Sequence, residues 1–436
     1  MSLLLFLHCS LHSQMDLPQV PVSPESVTTE WLTAVLSKHV QEPFQITSHK
    51  TEIPHKDGQV LSFMAQILAT AVNIKYTKDG REETIHLIIK TYPPNTFFQQ
   101  SLTITNAFGR EIHAYTELTR QIKEAQPDPN NALLPAWPKF YDACFAFSAK
   151  AVVMEDLRDT GFEITDPVKP LTYDQCILAL KELAKFHALT YNAKAKRGDI
   201  EQFLWENSTL LPEIFPEFGP FLLLSMKNIL KFLESQGKTD LMARVEKYLN
   251  TYQDIYGRYK EIIRPHGPIT TIIYGDFMNI NIMFKYGSNG QAEAAKLIEP
   301  HYLIYSQPIQ DVAYFIYTAT DKEFRDAYLE EMLKVYYEAF TEILKSVGAE
   351  IPDGYDFDRM KKEFEEGKEL GFLLACHVVP MLWRMKDGSA TYEQLNESNF
   401  MDLFKTIQDD LVKGENKDLI GRVLGIIEDM ADANVI

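Results

Sequence analysis

Alternating apolar and polar positions predict strands in the first part of the chain. The runs Phe63–Tyr76 and Thr84–Tyr92 are rich in β-branched and aromatic residues, which favour a pleated, half-buried surface. The polar turn between them contains Asp79-Gly80, and a glycine takes a positive φ there at little cost. Residues 140–154 alternate as two further strands, whereas residues 108–125 have helical spacing. These patterns predict a small antiparallel sheet with one prominent helix.

After Leu157 the apolar period changes to that of helices. Thr172 and Gln175 have the spacing of a capping box, which satisfies the first free N–H groups of a helix. Strand-like residues return only at 270–305, and helical spacing resumes from Pro308.

Three segments follow from this change of period. Residues 1–25 are interpreted as a flexible N-terminal tail, residues 26–157 as an N-lobe and residues 158–436 as a helical C-lobe. The expected fold class is α+β with two lobes, and a ligand is expected in the cleft between them.

Composition indicates a folded protein that does not bind nucleic acid. The 436 residues are 45% apolar and 12% aromatic, which is enough for a large core. The 61 acidic side chains exceed the 43 basic ones and give a formal charge of -18. Such a surface repels phosphate backbones and anionic lipids.

The four cysteines are widely spaced, which favours reduced, mostly buried thiols and a cytoplasmic location. No apolar run has the length of about 18 residues that a membrane span needs. Leu3–Leu7 is apolar but lacks a basic flank, so an N-terminal extension before Met15 is favoured over a signal peptide.

The segment 272–284 has the strongest chemical pattern. A β-branched run ends at Gly275, Asp276 follows, and Asn281 lies five residues later. Kinase-type catalytic loops use this spacing, because the Asp accepts the proton of the substrate hydroxyl and the Asn binds magnesium. The alternative is an Asx-rich turn between two buried strands.

Lys90 and Glu111 occur in the order that a nucleotide-binding N-lobe uses. Lys90 ends an apolar strand and could direct its ammonium at phosphates, with Glu111 on the following helix as its ion-pair partner. The alternatives are a surface lysine and a solvated carboxylate near a helix N-terminus. Gly58 lies in a turn that could cover phosphates, but an ordinary turn is favoured.

Two further segments contain candidate ligands. The apolar strand that ends at Met154-Glu155-Asp156-Leu157 could present backbone groups to an adenine edge, or it could end in exposed acids. Residues 296–301 include Glu299, a carboxylate where a kinase needs a metal ligand, although one methylene longer than Asp. His301 is expected to be a surface or core-rim histidine rather than a metal ligand, because no second His or Cys lies at ligand spacing.

Two buried groups are expected to act indirectly. Asp311 begins an apolar helix, where it is stabilised by the helix dipole, and we expect it to hold the backbone of the Asp276 loop. His187 ends an apolar stripe and is expected to be a core histidine with satisfied hydrogen bonds.

Together these motifs resemble the ecdysteroid kinase-like family, also called CHK-kinase-like. It is mostly found in insects and is related to choline kinase and aminoglycoside phosphotransferase; the juvenile-hormone-inducible members are most similar. The resemblance runs from about residue 45 to about residue 410, and these segments carry it: 87–90, 108–111, 154–157 with 161–162, 183–188, 275–276 with 281–284, and 308 with 311.

The resemblance implies a protein-kinase-like fold, ATP and Mg²⁺ or Mn²⁺ as cofactors, and a small-molecule hydroxyl as the acceptor. It implies that Asp276 is the catalytic base and that Lys90, paired with Glu111, binds phosphate. Asn281 and Glu299 would bind metal, and Met154, Glu155 and Leu157 would form the adenine hinge.

The sequence departs from the family pattern at two places. Tyr274 replaces the usual His before Gly-Asp, and Glu299-Pro300-His301 replaces the usual Asp-Phe-Gln. The sequence is therefore compatible with two functions. The first is an ATP-dependent phosphotransferase acting on an alcohol of a small, lipophilic, ecdysteroid-like molecule, attenuated by Glu299. The alternative is a pseudokinase that acts as a nucleotide- or ligand-binding module.

Overall fold

The structure of the protein is a computed structural model, and it consists of two compact units. The described residues are 20–56, 59–60, 65–93, 95–145, 150–197, 218–386, 406 and 409–436. Gly58, and the predicted tail before residue 20, lie outside these ranges. Residues up to 93 form the first unit together with 140–156, and the remaining described residues form the second.

An antiparallel sheet dominates the first unit. Among its described residues, the strands and one α-helix are α1 (Thr29–Leu36), β1 (Phe44–Glu52), β2 (His55–Lys56), β3 (Gln59–Val60), β4 (Gln66–Tyr76), β5 (Glu82–Thr91), β6 (Phe140–Phe145) and β7 (Lys150–Glu155). Five of these strands form the sheet, in the order β1-β4-β5-β7-β6.

The alternation of β5 explains where this unit has its core. Ile85, Leu87 and Ile89 lie on one face of the strand and pack with the buried side of α1. Successive side chains point to opposite faces, so Lys90 belongs to the other face. The turn before β5 is the predicted one, and Gly80 has a φ of 75°.

Residues 95–139 belong to the second unit, which differs from the predicted N-lobe of 26–157. The physical reason is direct bonding. The Asn192 side chain donates to the Ala125 carbonyl at 3.0 Å, and the Leu297 amide donates to the Ala136 carbonyl at 2.9 Å. The helices of this segment are α2 (Thr96–Ile104), α3 (Ala107–His113), a π-helical turn (Ala114–Leu118) and α4 (Thr119–Glu124).

Helices make up most of the second unit. Besides α2–α4, it contains the helices α5 (Tyr173–Arg197), α6 (Phe218–Ser235), α7 (Thr239–Thr251), α8 (Ile255–Ile263), α9 (Ile309–Ala319), α10 (Lys322–Ser346), α11 (Phe357–Lys386) and α12 (Lys417–Asp432). Every residue of α9 is buried, so this helix is the centre of the helical core.

Short strands interrupt these helices, as predicted for residues 270–305. They are β8 (Phe162–Ile164), β9 (Thr271–Ile273), β10 (Ile282–Tyr286), β11 (Ala292–Leu297) and β12 (Ile304–Ser306). β9 pairs with β12, and β10 lies between β8 and β11. The segment from β9 to β10 is therefore a strand, a loop and a strand.

The α+β class, with an antiparallel sheet in the N-terminal region and helices in the C-terminal region, is confirmed. Within the part of the chain that the structure describes, no helix is both long and apolar enough to span a membrane.

Candidate active site

A glycine directs the Asp276 loop away from its strand. Gly275 follows β9 with a φ of 78°, a conformation that costs other residues free energy. A Cβ atom at this position would lie 2.1 Å from the Tyr302 carbonyl oxygen, which is main chain and cannot rotate away. Only glycine fits here, and the turn presents the half-buried Asp276 at the edge of the core.

Both oxygens of the Asp276 carboxylate accept hydrogen bonds. The Tyr314 hydroxyl donates to one oxygen at 2.9 Å, and the Asn281 amide donates to the other at 2.9 Å. The same Asn281 nitrogen donates to the Asp276 carbonyl at 2.8 Å. An amide NH₂ group only donates hydrogen bonds, so the oxygen is the atom of the Asn281 side chain that can bind a cation.

Burial raises the pKa of Asp276 above its ordinary value. The nearby imidazole of His301 and the hydrogen bonds from Tyr314 and Asn281 act in the opposite direction. Because its pKa is raised, the Asp276 carboxylate accepts a proton more readily than a fully solvated carboxylate does.

Asp311 holds the main chain of the same loop from α9. One of its oxygens accepts the Tyr274 amide at 2.5 Å, and the other accepts the Gly275 amide at 2.9 Å. These two amides lie directly before Asp276. Asp311 is 1% exposed, so a buried carboxylate fixes the direction in which Asp276 leaves the strand.

His187 extends this arrangement into the core. One ring nitrogen lies 3.0 Å from the Asp311 carboxylate, and the other lies 2.8 Å from the Tyr336 hydroxyl. The residue is fully buried, so the expectation of a core histidine with both nitrogens satisfied is confirmed.

Tyr274 connects the Asp276 loop to the segment that contains Glu299. Its side chain is fully buried, and its hydroxyl donates to the Ile298 carbonyl. The ring packs edge-on against Phe186 and Phe277. A phenol therefore braces this loop where the family pattern has an imidazole.

Glu299 and His301 lie on a tight turn that follows β11. The His301 amide donates to the Glu299 carbonyl at 2.8 Å, and Pro300 between them has the fixed φ that suits such a three-residue turn. Glu299 itself has a φ of 61°, which is uncommon for a residue with a side chain. The His301 Nδ1 lies 3.0 Å from the Glu299 carboxylate.

Glu111 lies beside this turn. One ligand atom each from Glu111, Glu299 and His301 fall within 4.8 Å of one another. Glu111 is 1% exposed, which excludes the alternative of a solvated carboxylate. It is carried by α3, one turn before the π-helical segment, and such segments are frequent at functional sites.

These donors fit a divalent cation. The Ile298 amide donates to the Asn281 carbonyl at 3.0 Å, which ties the turn that carries Glu299 to the loop that carries Asp276 and Asn281. Carboxylate and amide oxygens are ligands of hard cations, and an imidazole adds a ligand for transition metals.

The remaining candidates lie in the first unit or at its border. Lys90 is 5% exposed on the central strand β5, so it is not a surface lysine. Met154 and Glu155 end β7, and Leu157 begins the second unit. The Asp156 amide donates to the His86 carbonyl at 3.0 Å. The pairing of Lys90 with Glu111 and the adenine role of 154–157 stay predictions.

Sequence reasoning missed Tyr314 and the surroundings of His301. Tyr314 follows Asp311 by three residues, so both side chains lie on one face of α9. This three-residue spacing is the feature of the sequence that indicates Tyr314 as a neighbour of Asp311. His301 meets its carboxylate neighbours only through folding, because Glu111 is remote in sequence.

Comparison with known proteins assigns the chain to a family. The model of the ecdysteroid kinase-like family matches residues 60–349. The chain therefore belongs to the ecdysteroid kinase-like family. No curated protein matches it.

Two solved structures are similar to the chain at a distance. A microcompartment-associated aminopropanol kinase is 10% identical, with a TM-score of 0.41, 93% of this chain covered and 99% of that one. A choline/ethanolamine kinase family protein from Mesorhizobium loti is 11% identical, with a TM-score of 0.32 and coverages of 82% and 90%.

Proposed function

We propose that the protein is an ATP-dependent phosphotransferase that places a phosphoryl group on an alcohol of a small molecule. The observation that carries the proposal is the Asp276 carboxylate, held by Tyr314 and Asn281 on its oxygens and by Asp311 through the preceding amides. Membership of a kinase-like family supports the same reaction class.

In the proposed reaction, Asp276 accepts the proton of the acceptor hydroxyl. The hydroxyl oxygen forms a bond to the γ-phosphorus while the bond between that phosphorus and the bridging oxygen breaks, and ADP leaves. Asp311 and Tyr314 keep the carboxylate in one orientation, so little rearrangement is needed when the acceptor arrives.

Several residues are proposed to bind ATP and its cation. Lys90 would bind phosphate with Glu111 as its partner, and Met154–Leu157 would contact adenine. Asn281 and Glu299 would hold Mg²⁺ or Mn²⁺, which when bound neutralises charge on the phosphates. The burial of Lys90 supports its phosphate-binding role. The hydrogen bond from the Ile298 amide to the Asn281 carbonyl supports the cation-binding role, because it joins the segments that carry Asn281 and Glu299.

The acceptor is proposed to be lipophilic and ecdysteroid-like, as the family name suggests. A cytoplasmic location accompanies this proposal, because the described cysteines Cys144, Cys176 and Cys376 are free thiols.

The second candidate is a pseudokinase that binds a nucleotide or another ligand with little turnover. Glu299 favours it, since magnesium tolerates little departure from octahedral geometry and the residue also has a left-handed backbone. Where the pseudokinase binds a nucleotide, the two candidates share that site and differ only in whether a phosphoryl group is transferred.

Calorimetric titration with ATP, with and without magnesium or manganese, tests the shared part. We expect ATP to bind more tightly in the presence of a cation. A thermal-shift screen of steroid and amino-alcohol acceptors then identifies the second substrate by the stabilisation that it causes. If ATP neither binds nor stabilises the protein under any of these conditions, the phosphotransferase and the nucleotide-binding form of the pseudokinase both fail.

A further inference from the structure

Two buried arginines meet at the C-terminal end of α9. Arg325 on α10 and Arg422 on α12 are 3% and 5% exposed. The Arg422 guanidinium donates to the Thr318 carbonyl at 2.6 Å, and the Arg325 guanidinium donates to the Thr320 carbonyl at 2.8 Å. The last carbonyls of a helix have no partner within the helix, so these bonds explain why both side chains lie at this end of α9.

These bonds use only part of each guanidinium. Among the residues that the structure describes, the Arg325 Nη2 and the Arg422 Nε and Nη1 are buried without a hydrogen-bond partner. Arg325 also donates to the Asp429 carboxylate at 2.6 Å, whereas no described carboxylate forms an ion pair with Arg422. Buried N–H groups nearly always have a partner, and an unpaired buried charge is costly. The three nitrogens therefore indicate a bound group that accepts hydrogen bonds and carries negative charge.

The two guanidinium groups lie close to each other. Gly425 follows Arg422 by three residues, so both lie on one face of α12. The Arg325 Nη2 lies 3.5 Å from the position that a Cβ atom of Gly425 would occupy, which places it beside this face. Burial, and to a smaller extent the charge of Arg325, lowers the pKa of Arg422 to about 10. Arg422 is therefore charged at neutral pH, and the two groups repel each other.

We propose that Arg325 and Arg422 form a binding site for a small monovalent anion, with chloride as the occupant. Burial among three helices favours a monatomic anion over phosphate or sulfate. One negative charge balances Arg422, since Asp429 already pairs with Arg325. The anion would join α10 and α12 at one end of α9, the helix whose other end carries Asp311 and Tyr314. The inference goes beyond the proposed function and does not depend on it.

Thermal melting of the full-length protein tests the site without any turnover. Potassium chloride replaces potassium gluconate at constant ionic strength, because screening alone changes the stability of a protein with a formal charge of -18. A ligand that binds only the folded state raises the melting temperature in a saturable way. We expect chloride or bromide to raise it by about 1–3 °C relative to gluconate. An equal melting temperature in chloride and gluconate would overturn the inference.

Arg422→Met tests the donor set. It removes two of the three unpartnered nitrogens, so the rise caused by chloride should disappear, whatever the melting temperature in gluconate. Arg120→Met is the matched control, because Arg120 is an exposed arginine that pairs with Glu117 and Glu124 on the surface. This variant should keep the full rise. Circular dichroism shows whether both variants are folded, and an undiminished rise in folded Arg422→Met would refute the assignment.

Bromide locates the anion directly and needs no variant. Crystals of the unaltered protein grown in bromide should give an anomalous peak in hydrogen-bonding contact with the Arg325 Nη2 and with the Arg422 Nε or Nη1. A water molecule that replaces the anion there would give no anomalous signal, and buried water is the other common partner of such groups. Bromide peaks only elsewhere on the protein would therefore overturn the inference, even if chloride raises the melting temperature.

Discussion

The Asp276 loop and the Glu299–His301 turn are neighbours in the second unit but are held in different ways. Asp276 is fixed by side chains of its own loop and of α9, each within ordinary hydrogen-bonding distance. The turn is joined to its surroundings at the main chain of Ile298, a backbone hydrogen bond spans Pro300, and the Glu299 and His301 side chains lie 3.0 Å apart. The carboxylate that would accept a proton is held by hydrogen bonds from side chains, whereas the turn that would bind a cation is held through its main chain.

This difference separates two properties of the proposed site, namely the orientation of the base and the placement of the cation. The geometry around Asp276 supports a base whatever cation is present. In the proposed function, the geometry around Glu299 would determine which cation is used and how well it is placed. Substitutions in the two regions should therefore have different signatures in rate, pH dependence and metal dependence.

The largest effect is expected from Asp276→Asn. The amide cannot accept the hydroxyl proton, and general-base catalysis contributes about 10²- to 10⁴-fold in rate. We expect kcat for acceptor phosphorylation to fall by that factor, measured by product formation. ATP binding should change little, and Asp240→Asn, at an exposed position of α7, should leave both unchanged. Equal rates for Asp276→Asn and the unaltered protein would remove the base assignment.

Asp311→Asn should be the most destabilising conservative change. One of the two amides before the base, that of Tyr274 or Gly275, would face an NH₂ group instead of an acceptor. A buried donor left without a partner costs about 1–3 kcal/mol. Urea unfolding should show this loss in the free energy of unfolding, and kcat should fall with it. Unchanged stability would mean that the loop does not depend on this carboxylate.

Tyr314→Phe sharpens the comparison through pH. The Tyr314 hydrogen bond lowers the pKa of Asp276, so its removal should raise that pKa further. A base works when it is deprotonated, and the acid limb of the kcat profile should therefore move to higher pH. Tyr328→Phe, at a position 40% exposed, is the control and should leave the profile in place. A shift to lower pH would contradict the assigned hydrogen bond.

Glu299→Asp should have the smallest effect on rate but the most diagnostic sign. The shorter arm restores the ligand that the family pattern has, and Asp tolerates a left-handed backbone better than Glu. We expect Mg²⁺-supported transfer to rise severalfold while the affinity for ATP in the absence of a cation changes little. Glu163→Asp, at an exposed position, is the control. An unchanged rate with Mg²⁺ would mean that the length of this side chain does not limit the placement of the cation.

Local patterns predicted the elements well. The hairpin before β5, the two strands β6 and β7, and the strand–loop–strand around Asp276 all follow from periodicity and turn chemistry. Asp276 and Asn281 were visible because one loop carries both. The assignment of residues 95–139 to the second unit was not visible, since it depends on contacts such as that of Asn192 with Ala125.

Tertiary neighbours account for what the sequence left out. Spacing along the chain argued against His301 as a metal ligand, because no second His or Cys lies near it. Folding supplies carboxylates instead, one of them from Glu111 on a remote helix. Tyr314 needed the packing of α9 beneath the loop, although its three-residue spacing from Asp311 was a hint.

The measurement that tests the central claim most directly is mass-spectrometric detection of a phosphorylated acceptor. Purified protein is incubated with ATP, a divalent cation and a panel of steroid and amino-alcohol acceptors. The account predicts a phosphorylated alcohol that requires both ATP and the cation. Cation-dependent ATP binding with no phosphorylated product from any acceptor would contradict it and favour the pseudokinase.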